Sequence, residues 1–241
     1  MTNPKAARDC SGIMITGNQH TLIDTPPELR LQLVREQVSY IDQVLLTHEH
    51  FDHVGGLPQL EFFVRFSSKH LLPVYTGAQT IATVKQQYAF MLDTLDIHLL
   101  EAFETLSFDG VDYTALPAEH CKDSYGYLIE VTQGEPTKPR TSRTAYFPDT
   151  GALSPATLEY LDGLDNLIID STYSGKNWMP KTHHSIDDAI ALAERLQPKQ
   201  TYLTHLAMHF DEPITLVELE QKLATHTTPI GVAYDGLTIE L

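Results

Sequence analysis

The chain has 241 residues, 42% of them hydrophobic, which is enough apolar material to bury the core of one α/β domain. Its formal net charge of −16 argues against a broad nucleic-acid-binding surface, because such surfaces neutralise phosphates with clustered lysines and arginines. The negative charge does not exclude a small anionic substrate, since bound cations can dominate the charge of a pocket.

Composition also bears on where the protein works. No stretch approaches the roughly 20 apolar residues of a membrane-spanning helix, and the first residues lack the apolar segment of a signal peptide. Two cysteines, Cys10 and Cys121, are too few for a disulfide framework and are expected to be reduced thiols. We therefore expect a cytoplasmic protein with no membrane partner, built as one domain over residues 1–241.

Strands and helices are predicted to alternate along most of the chain. Up to residue 120 the predicted elements are, in order, strands Gly12–Thr16 and His20–Asp24, helix Pro27–Glu36, strand Gln43–Thr47, helix Gly56–Phe66, strand Val74–Thr76, helix Ala78–Met91, and strands Leu106–Phe108 and Val111–Pro117. From there on they are strands Gly126–Val131 and Thr144–Pro148, helix Ser154–Leu161, strand Asn166–Asp170, helix Ser185–Leu196, strand Gln200–Thr204, helix Pro213–Thr225 and strand Leu237–Leu241.

Two local signals add to this pattern. The polar segment Gln133–Ser142 contains two prolines between strand-like runs, so it is interpreted as a hairpin loop. Ser185 followed by Asp188 resembles an acidic capping pair at the start of a helix. Alternating strands and helices together with hairpins indicate an α/β architecture with mixed sheets.

The most informative segment is Thr47–Gly56, which directly follows an apolar strand. Four potential metal ligands, His48, His50, Asp52 and His53, occupy six residues of it. Imidazole nitrogens and a carboxylate suit Zn²⁺, Mn²⁺ or Fe²⁺. One ion cannot easily use all four from so short a loop, whereas two neighbouring ions can, and the ends of strands are where α/β sheets place ligands.

Three further candidates each follow a later apolar strand. His120 comes after the run ending in Pro117, Asp149 after the run ending in Pro148, and His205 after Thr204. One polar residue past a strand is usually just solvated. Three residues of metal-binding type in this position together indicate additional ligands of the same site.

The pattern T-H-x-H-x-D-H at Thr47–His53, together with F-P-D-T-G around Asp149 and L-T-H around His205, resembles the metallo-β-lactamase superfamily. Within it the chain is most similar to the PhnP branch of cyclic-phosphate phosphodiesterases. This resemblance implies an α/β fold, the αβ/βα four-layer sandwich of the metallo-β-lactamase type with two mixed sheets. It also implies two divalent metal ions per chain, zinc or manganese with iron as a further option, and a homodimer.

The resemblance also implies roles for individual residues. His48, His50 and His120 would bind the first ion. Asp52, His53 and His205 would bind the second, with Asp149 bridging the two and a hydroxide between the ions attacking the substrate. His184 would lie near the substrate phosphate as a proton donor. Asp24 and Asp170 would orient ligand histidines rather than bind metal.

One departure from the family concerns the N-terminal region. Members usually begin with a strand and a glycine-rich turn, and the PhnP branch then adds a C-x-C-x-x-C cluster, neither of which this sequence contains. The partners that a structural zinc would share with His209 are therefore missing. We expect no structural metal there, with His209 solvated or hydrogen-bonded.

The expected function is hydrolysis of small phosphodiesters, cyclic ones included. A tRNA-processing endonuclease shares the ligand set, but such enzymes usually carry an inserted basic arm, and this chain is acidic. Hydrolysis of a carbon ester or thioester by the same metal pair remains open, because Asp52 supports a dinuclear site without selecting phosphorus over carbon. A non-enzymatic metal-binding protein is a third alternative that the intact ligand set disfavours.

Overall fold

The computed structural model describes residues 8–68, 70–134, 140–206 and 212–241. Its contacts group into two compact units. The N-terminal unit comprises Asp9–Glu104 and Lys122–Tyr125, and the C-terminal unit comprises Arg8, Thr105–Cys121 and Gly126–Leu241. The expectation of a single domain over the whole chain stays a prediction.

The N-terminal unit is built on a five-stranded sheet. Its strands, in spatial as well as chain order, are β1 (Ile13–Thr16), β2 (His20–Ile23), β3 (Gln43–Leu45), β4 (Leu72–Thr76) and β5 (Leu95–Leu99). The first two pair antiparallel and all later neighbours pair parallel, so the sheet is mixed. The α-helices of this unit are α1 (Leu29–Arg35), α2 (Phe51–Val54), α3 (Glu61–Phe63) and α4 (Ala78–Gln87).

The apolar residues of this unit explain its packing. Every residue of β3 is buried, and the buried run continues through Leu46, as expected for a central strand of a parallel sheet covered on both faces. Val44, Leu46 and Val74 are fully buried in one cluster with residues of the surrounding helices. Strand β3 is thereby fixed, and with it the start of the histidine-rich segment.

The C-terminal unit is built on a seven-stranded sheet. Its strands are β6 (Thr105–Phe108), β7 (Val111–Pro117), β8 (Tyr125–Gln133), β9 (Arg140–Phe147), β10 (Asn166–Asp170), β11 (Gln200–Thr204) and β12 (Ile230–Val232). They lie in the order β12-β11-β10-β9-β8-β7-β6. Strands β9 to β12 pair parallel, whereas β6–β7 and β8–β9 pair antiparallel. The helices of this unit are α5 (Pro155–Leu158), α6 (Ile186–Leu196) and α7 (Leu216–Leu223).

Helix α6 shows why the chain folds this way near the candidate ligands. The Ser185 hydroxyl accepts from the amide of Asp188, and the Asp188 carboxylate accepts from the amide of Ser185, which is a complete capping box. Ile186, Ala189 and Ile190 are buried in the core that also contains Leu203 and Ile169 of the sheet. The predicted capping pair is therefore confirmed, and it fixes the point at which the preceding loop enters the helix.

The structure confirms the predicted mixed-sheet α/β class, with two mixed sheets carrying helices. The antiparallel pairing of β8 with β9 confirms the predicted hairpin, but Gln133 and residues 140–142 belong to its strands, and residues 135–139 of the predicted loop lie outside the described residues. The strand predicted at Leu237–Leu241 is wrong, since that segment is irregular and begins in a turn where the Leu237 amide donates to the Tyr234 carbonyl. Strands β5 and β12 were not predicted, and each lies at an edge of its sheet.

The remaining expectations concern the cysteines, His209 and membrane-spanning helices. Neither Cys10 nor Cys121 forms a disulfide, in agreement with the expected reduced thiols. His209 lies outside the described residues. Over the described ranges, no helix has the length and apolar character needed to cross a bilayer.

Candidate metal centre

The histidine-rich segment of the N-terminal unit begins where β3 ends. His50 precedes the first turn of α2 in an extended conformation, with φ −67° and ψ 150°. The helix then begins at Phe51, which places Asp52 and His53 in its first turn. We call Asp24, His48, His50, Asp52 and His53 the motif cluster.

The Asp24 carboxylate holds its neighbours in the motif cluster in position. It is fully buried, and its carboxylate accepts hydrogen bonds from the Thr47 amide at 2.8 Å and from the Thr47 hydroxyl at 2.9 Å. The same carboxylate lies 2.8 Å from Nδ1 of His53. Since a carboxylate only accepts, Nδ1 of His53 carries the proton, and Nε2 is the ring nitrogen that would bind a cation.

Burial raises the pKa of Asp24, and the neighbouring His53 and the Thr47 hydrogen bonds act in the opposite direction. The charge of the Asp24 carboxyl therefore depends on the balance between burial and these neighbours, as is common in functional sites.

The three histidines of the motif cluster lie side by side. The ring centroids of His48 and His53 are 4.3 Å apart, and those of His48 and His50 are 4.6 Å apart. Nδ1 of His48 lies 3.0 Å from the Thr47 hydroxyl. Asp52 Oδ2 is 3.4 Å from Nε2 of His53, with the Asp52 side chain 39% exposed and the His53 side chain fully buried. The motif cluster is thus enclosed by protein at His53 and exposed to solvent at Asp52.

The C-terminal unit carries a second group, which we call the strand-end cluster. Its members follow β7, β9 or β11, end β10 or precede α6, and they are His120, Asp149, Asp170, His183 and His205. Asp149 Oδ1 is 3.2 Å from Nε2 of His205 and 3.3 Å from Nδ1 of His183. Two triads, His120–Asp149–His183 and Asp170–His183–His205, each offer ligand atoms within 4.8 Å of one another.

Asp170 holds the strand-end cluster in place. Its fully buried carboxylate accepts from the amide of Thr150 at 3.0 Å and from the amide and hydroxyl of Thr172 at 2.8 and 2.6 Å. The Thr172 hydroxyl also lies 2.9 Å from Nδ1 of His205. Asp170 therefore positions the loop next to Asp149 directly and His205 through Thr172.

His120 is oriented by the backbone, because its Nδ1 lies 2.8 Å from the Thr182 carbonyl and must donate to it. Nδ1 of His120 is thus protonated, and Nε2 is the nitrogen able to bind a cation. The arrangement matches that of His53 in the motif cluster.

Two of the candidate residues have a left-handed backbone. Asp24 has φ +66° and His205 has φ +54°, a conformation that residues other than glycine adopt rarely. Each follows a strand of its unit, β2 and β11 respectively. Such conformations tend to gather at functional sites, where the surroundings enforce them.

The structure distinguishes the adjacent histidines His183 and His184. Nδ1 of His183 lies 3.0 Å from Asp170 Oδ2, and its ring centroid is 4.7 Å from that of His120. His184 is 6% exposed, and its Nδ1 is buried with no hydrogen-bond partner. Desolvation lowers the pKa of His184. The proton-donor role that the sequence assigned to His184 stays a prediction, and His183 is the ring of the pair that lies against Asp170.

Sequence reasoning thus missed His183 of the strand-end cluster and Thr172, which contacts Asp170 and His205. Signals for both were present, since His183 is half of a histidine pair before the capping box and Thr172 lies two residues past Asp170. Neither signal says which ring of the pair faces the carboxylates. The loop backbone decides that.

The residues present fit divalent cations. Asp149 is 4% exposed and has two imidazole rings within 3.3 Å, and both clusters offer only nitrogen and oxygen donors. Imidazole and carboxylate ligands suit zinc, manganese and iron alike. The arrangement can bind such ions, orient their histidine ligands and supply an imidazole for proton transfer.

Comparison with known proteins agrees with this geometry. A beta-lactamase superfamily domain matches residues 19–206. The chain is similar to an octanoyltransferase of Porphyromonas gingivalis, with 28% identity over 97% of this chain, and it spans only 44% of that protein's length. It is also similar to ribonuclease Z of Myxococcus xanthus, with 22% identity over 99% of this chain and 94% of that protein.

Among solved structures, the chain resembles a diphosphatase from the PhnP family. The TM-score is 0.82 and the identity 26%, covering all of this chain and 88% of the other. The metallo-β-lactamase fold expected from the sequence is thereby confirmed.

Proposed function

The chain belongs to the beta-lactamase superfamily and is a metal-dependent hydrolase, and from this premise we propose that it hydrolyses small phosphodiesters, cyclic ones included. The observation that carries the proposal is the strand-end cluster, in which the buried Asp149 lies within 3.3 Å of His183 and His205. The similarity to a PhnP-family diphosphatase over the whole chain supports phosphorus as the reacting centre.

The proposed ligand sets are those that the family resemblance implies. His48, His50 and His120 would hold one ion, Asp52, His53 and His205 would hold the other, and Asp149 would be shared. Zinc and manganese are the proposed metals, with iron as a third option. When bound, such ions would supply Lewis acidity to the phosphoryl oxygens and would lower the pKa of water.

The chain's own residues then perform the remaining tasks. Asp24 and Asp170 hold ligand rings and loops in position through the hydrogen bonds described above. We assign proton donation to the leaving alkoxide to His183 in place of His184. Nδ1 of His183 lies 3.0 Å from the Asp170 carboxylate, which leaves Nε2 as the nitrogen available to donate a proton.

Substitution of the paired histidines tests this assignment. His183→Ala should lower kcat for adenosine 2′,3′-cyclic phosphate, whose leaving group is an alkoxide, by roughly 10²- to 10⁴-fold, the range expected for loss of a general acid. His184→Phe, which keeps the site filled, is the matched control and should retain most activity. Metal content by mass spectrometry on both variants separates loss of a proton donor from loss of a ligand. A His184 variant as inactive as the His183 variant would refute the assignment.

A substrate panel tests the reaction class. Manganese- and zinc-loaded protein should hydrolyse bis-(p-nitrophenyl) phosphate and cyclic phosphodiesters faster than a thioester or a β-lactam. Faster turnover of the carbon-centred compounds would overturn the proposal. Metal content far below two ions per chain would instead favour a non-enzymatic role.

A tRNA-processing endonuclease is the second candidate. The similarity to ribonuclease Z extends over 99% of this chain, which favours it, whereas the net charge of −16 disfavours binding of a large polyanion. We propose a small anionic phosphodiester as substrate, no broad nucleic-acid surface, a homodimer and a cytoplasmic location. Cleavage of a precursor tRNA at rates above those for small diesters would support the endonuclease, and light scattering checks the dimer.

A further inference from the structure

The loop that joins β10 to α6 differs in charge from the rest of the chain. The chain has 32 acidic and 16 basic residues, yet residues 171–185 contain Lys176 and Lys181 and not one aspartate or glutamate. This loop also carries His183 near its end, and its Thr182 carbonyl accepts from His120. A locally cationic segment therefore borders the strand-end cluster in a strongly acidic protein.

The same loop exposes the chain's single tryptophan. The Trp178 side chain is 56% exposed, and the ammonium of Lys176 lies 3.9 Å from the centroid of its ring. Such a cation over an indole face is an attractive arrangement. An indole left half in water makes little contribution to a hydrophobic core, so core packing does not explain it.

The backbone around Trp178 is held firmly. The Asn177 amide group donates to the His183 carbonyl at 2.9 Å and to Asp188 at 3.0 Å, and its oxygen accepts from the Met179 amide. The Met179 carbonyl accepts from the amides of Thr182 and His183 at 3.0 Å each. The exposed indole thus stands on a hydrogen-bonded turn that ends at His183.

Two acidic residues, Asp188 and Glu212, lie near the loop. Asp188 accepts from Asn177 and from the Ser185 cap, and Glu212 lies against Gly175, the residue before Lys176.

We propose that Trp178, Lys176 and Lys181 form a subsite for a flat aromatic ring attached to the phosphodiester, and that the substrates are nucleotide diesters. This inference rests on the proposed phosphodiesterase function. Every nucleobase offers a π-face for stacking on an aromatic side chain, and the lysines supply charge for the phosphate. A phosphodiester that lacks an aromatic ring would use the metal centre alone.

A pair of substrates tests the subsite on the metal-loaded enzyme. Trp178→Ala should lower kcat/KM for adenosine 2′,3′-cyclic phosphate by roughly five- to 150-fold, the range for loss of one stacked base. For glycerol cyclic phosphate, which has no base, kcat/KM should change less than about twofold on the same reasoning. Trp178→Phe should restore most of the loss, and Tyr160→Ala, another exposed aromatic of the same unit, is the control.

Tryptophan fluorescence provides a test that does not depend on turnover, since all of the signal comes from Trp178. Adenosine monophosphate should quench it saturably and ribose 5-phosphate should not. The subsite would be refuted if Trp178→Ala lowered kcat/KM equally for both substrates. It would also be refuted if added nucleotide left the fluorescence unchanged. The proposed function would stand in either case. Failure to hydrolyse any phosphodiester, with saturable quenching intact, would overturn the function instead.

Discussion

Replacement of Asp24 by asparagine should weaken metal binding while the fold stays intact. The Asp24 carboxylate lies 2.8 Å from Nδ1 of His53 and also accepts from the amide and hydroxyl of Thr47. Asparagine can keep the oxygen that faces Thr47 and tolerates the left-handed backbone at this position, φ +66°. It would present an amide N–H₂ to His53. Nδ1 of His53 must then become the acceptor, which moves the proton to Nε2, the nitrogen that would bind metal.

The size of the effect follows from this tautomer change. Loss of the partner that orients a ligand histidine typically costs 10- to 100-fold in metal affinity, or about 1.4 to 2.7 kcal/mol. If the ring does not change tautomer, two N–H groups face each other inside the protein and the metal-free fold loses about 1–3 kcal/mol. Either outcome separates Asp24→Asn from an inert surface substitution.

Competition with a metal chelator measures the affinity, and thermal unfolding of the metal-free protein measures the fold. Thr76→Val is the matched control, since it removes a buried hydrogen bond to the Leu46 carbonyl on the same sheet without touching a ligand ring. The control should lose about 1 kcal/mol of stability and keep its metal affinity. Unchanged affinity in a folded Asp24→Asn protein, or an equal loss in the control, would refute the reasoning.

Two further predictions concern stability and thiol chemistry. Ser185→Ala should lower the free energy of unfolding by about 1 kcal/mol because it removes the cap of α6, whereas Ser185→Thr keeps the hydroxyl and should lower it less. Urea unfolding measures both variants. An alanine variant as stable as the parent would contradict the capping argument. Burial and the neighbouring carboxylates Glu28 and Asp52 raise the pKa of the Cys10 thiol to about 11. Alkylation of Cys10 near pH 8.5 should therefore be roughly a hundredfold slower than in the unfolded chain. Peptide mass spectrometry follows the reaction. Because the folded-state pKa is the higher one, the contribution of Cys10 to stability is present below the thiol's unfolded-state pKa and is lost as the pH rises toward 11; a native thiol that reacts as fast as the unfolded one would contradict this.

The sequence by itself determined the fold class, the family and most of the candidate ligands. Strand β3 is a run of buried residues that leads into four ligand-type side chains within six positions, and both features are local. The capping box of α6 is local in the same sense, because Ser185 and Asp188 lie within one turn. Patterns of this kind can be read from sequence because neighbouring residues alone establish them.

Tertiary structure alone decided the rest. The strands β5 and β12 are edge strands stabilised by pairing with β4 and β11, partners distant in sequence, while Leu237–Leu241 has a suitable alternation but stays irregular. His183 and His184 are the same residue type side by side, and only the fold of the preceding loop directs the first ring to Asp170 and buries the second. The physical reason is that strand pairing and side-chain direction depend on contacts made by remote parts of the chain, and the residue types at those positions do not encode them.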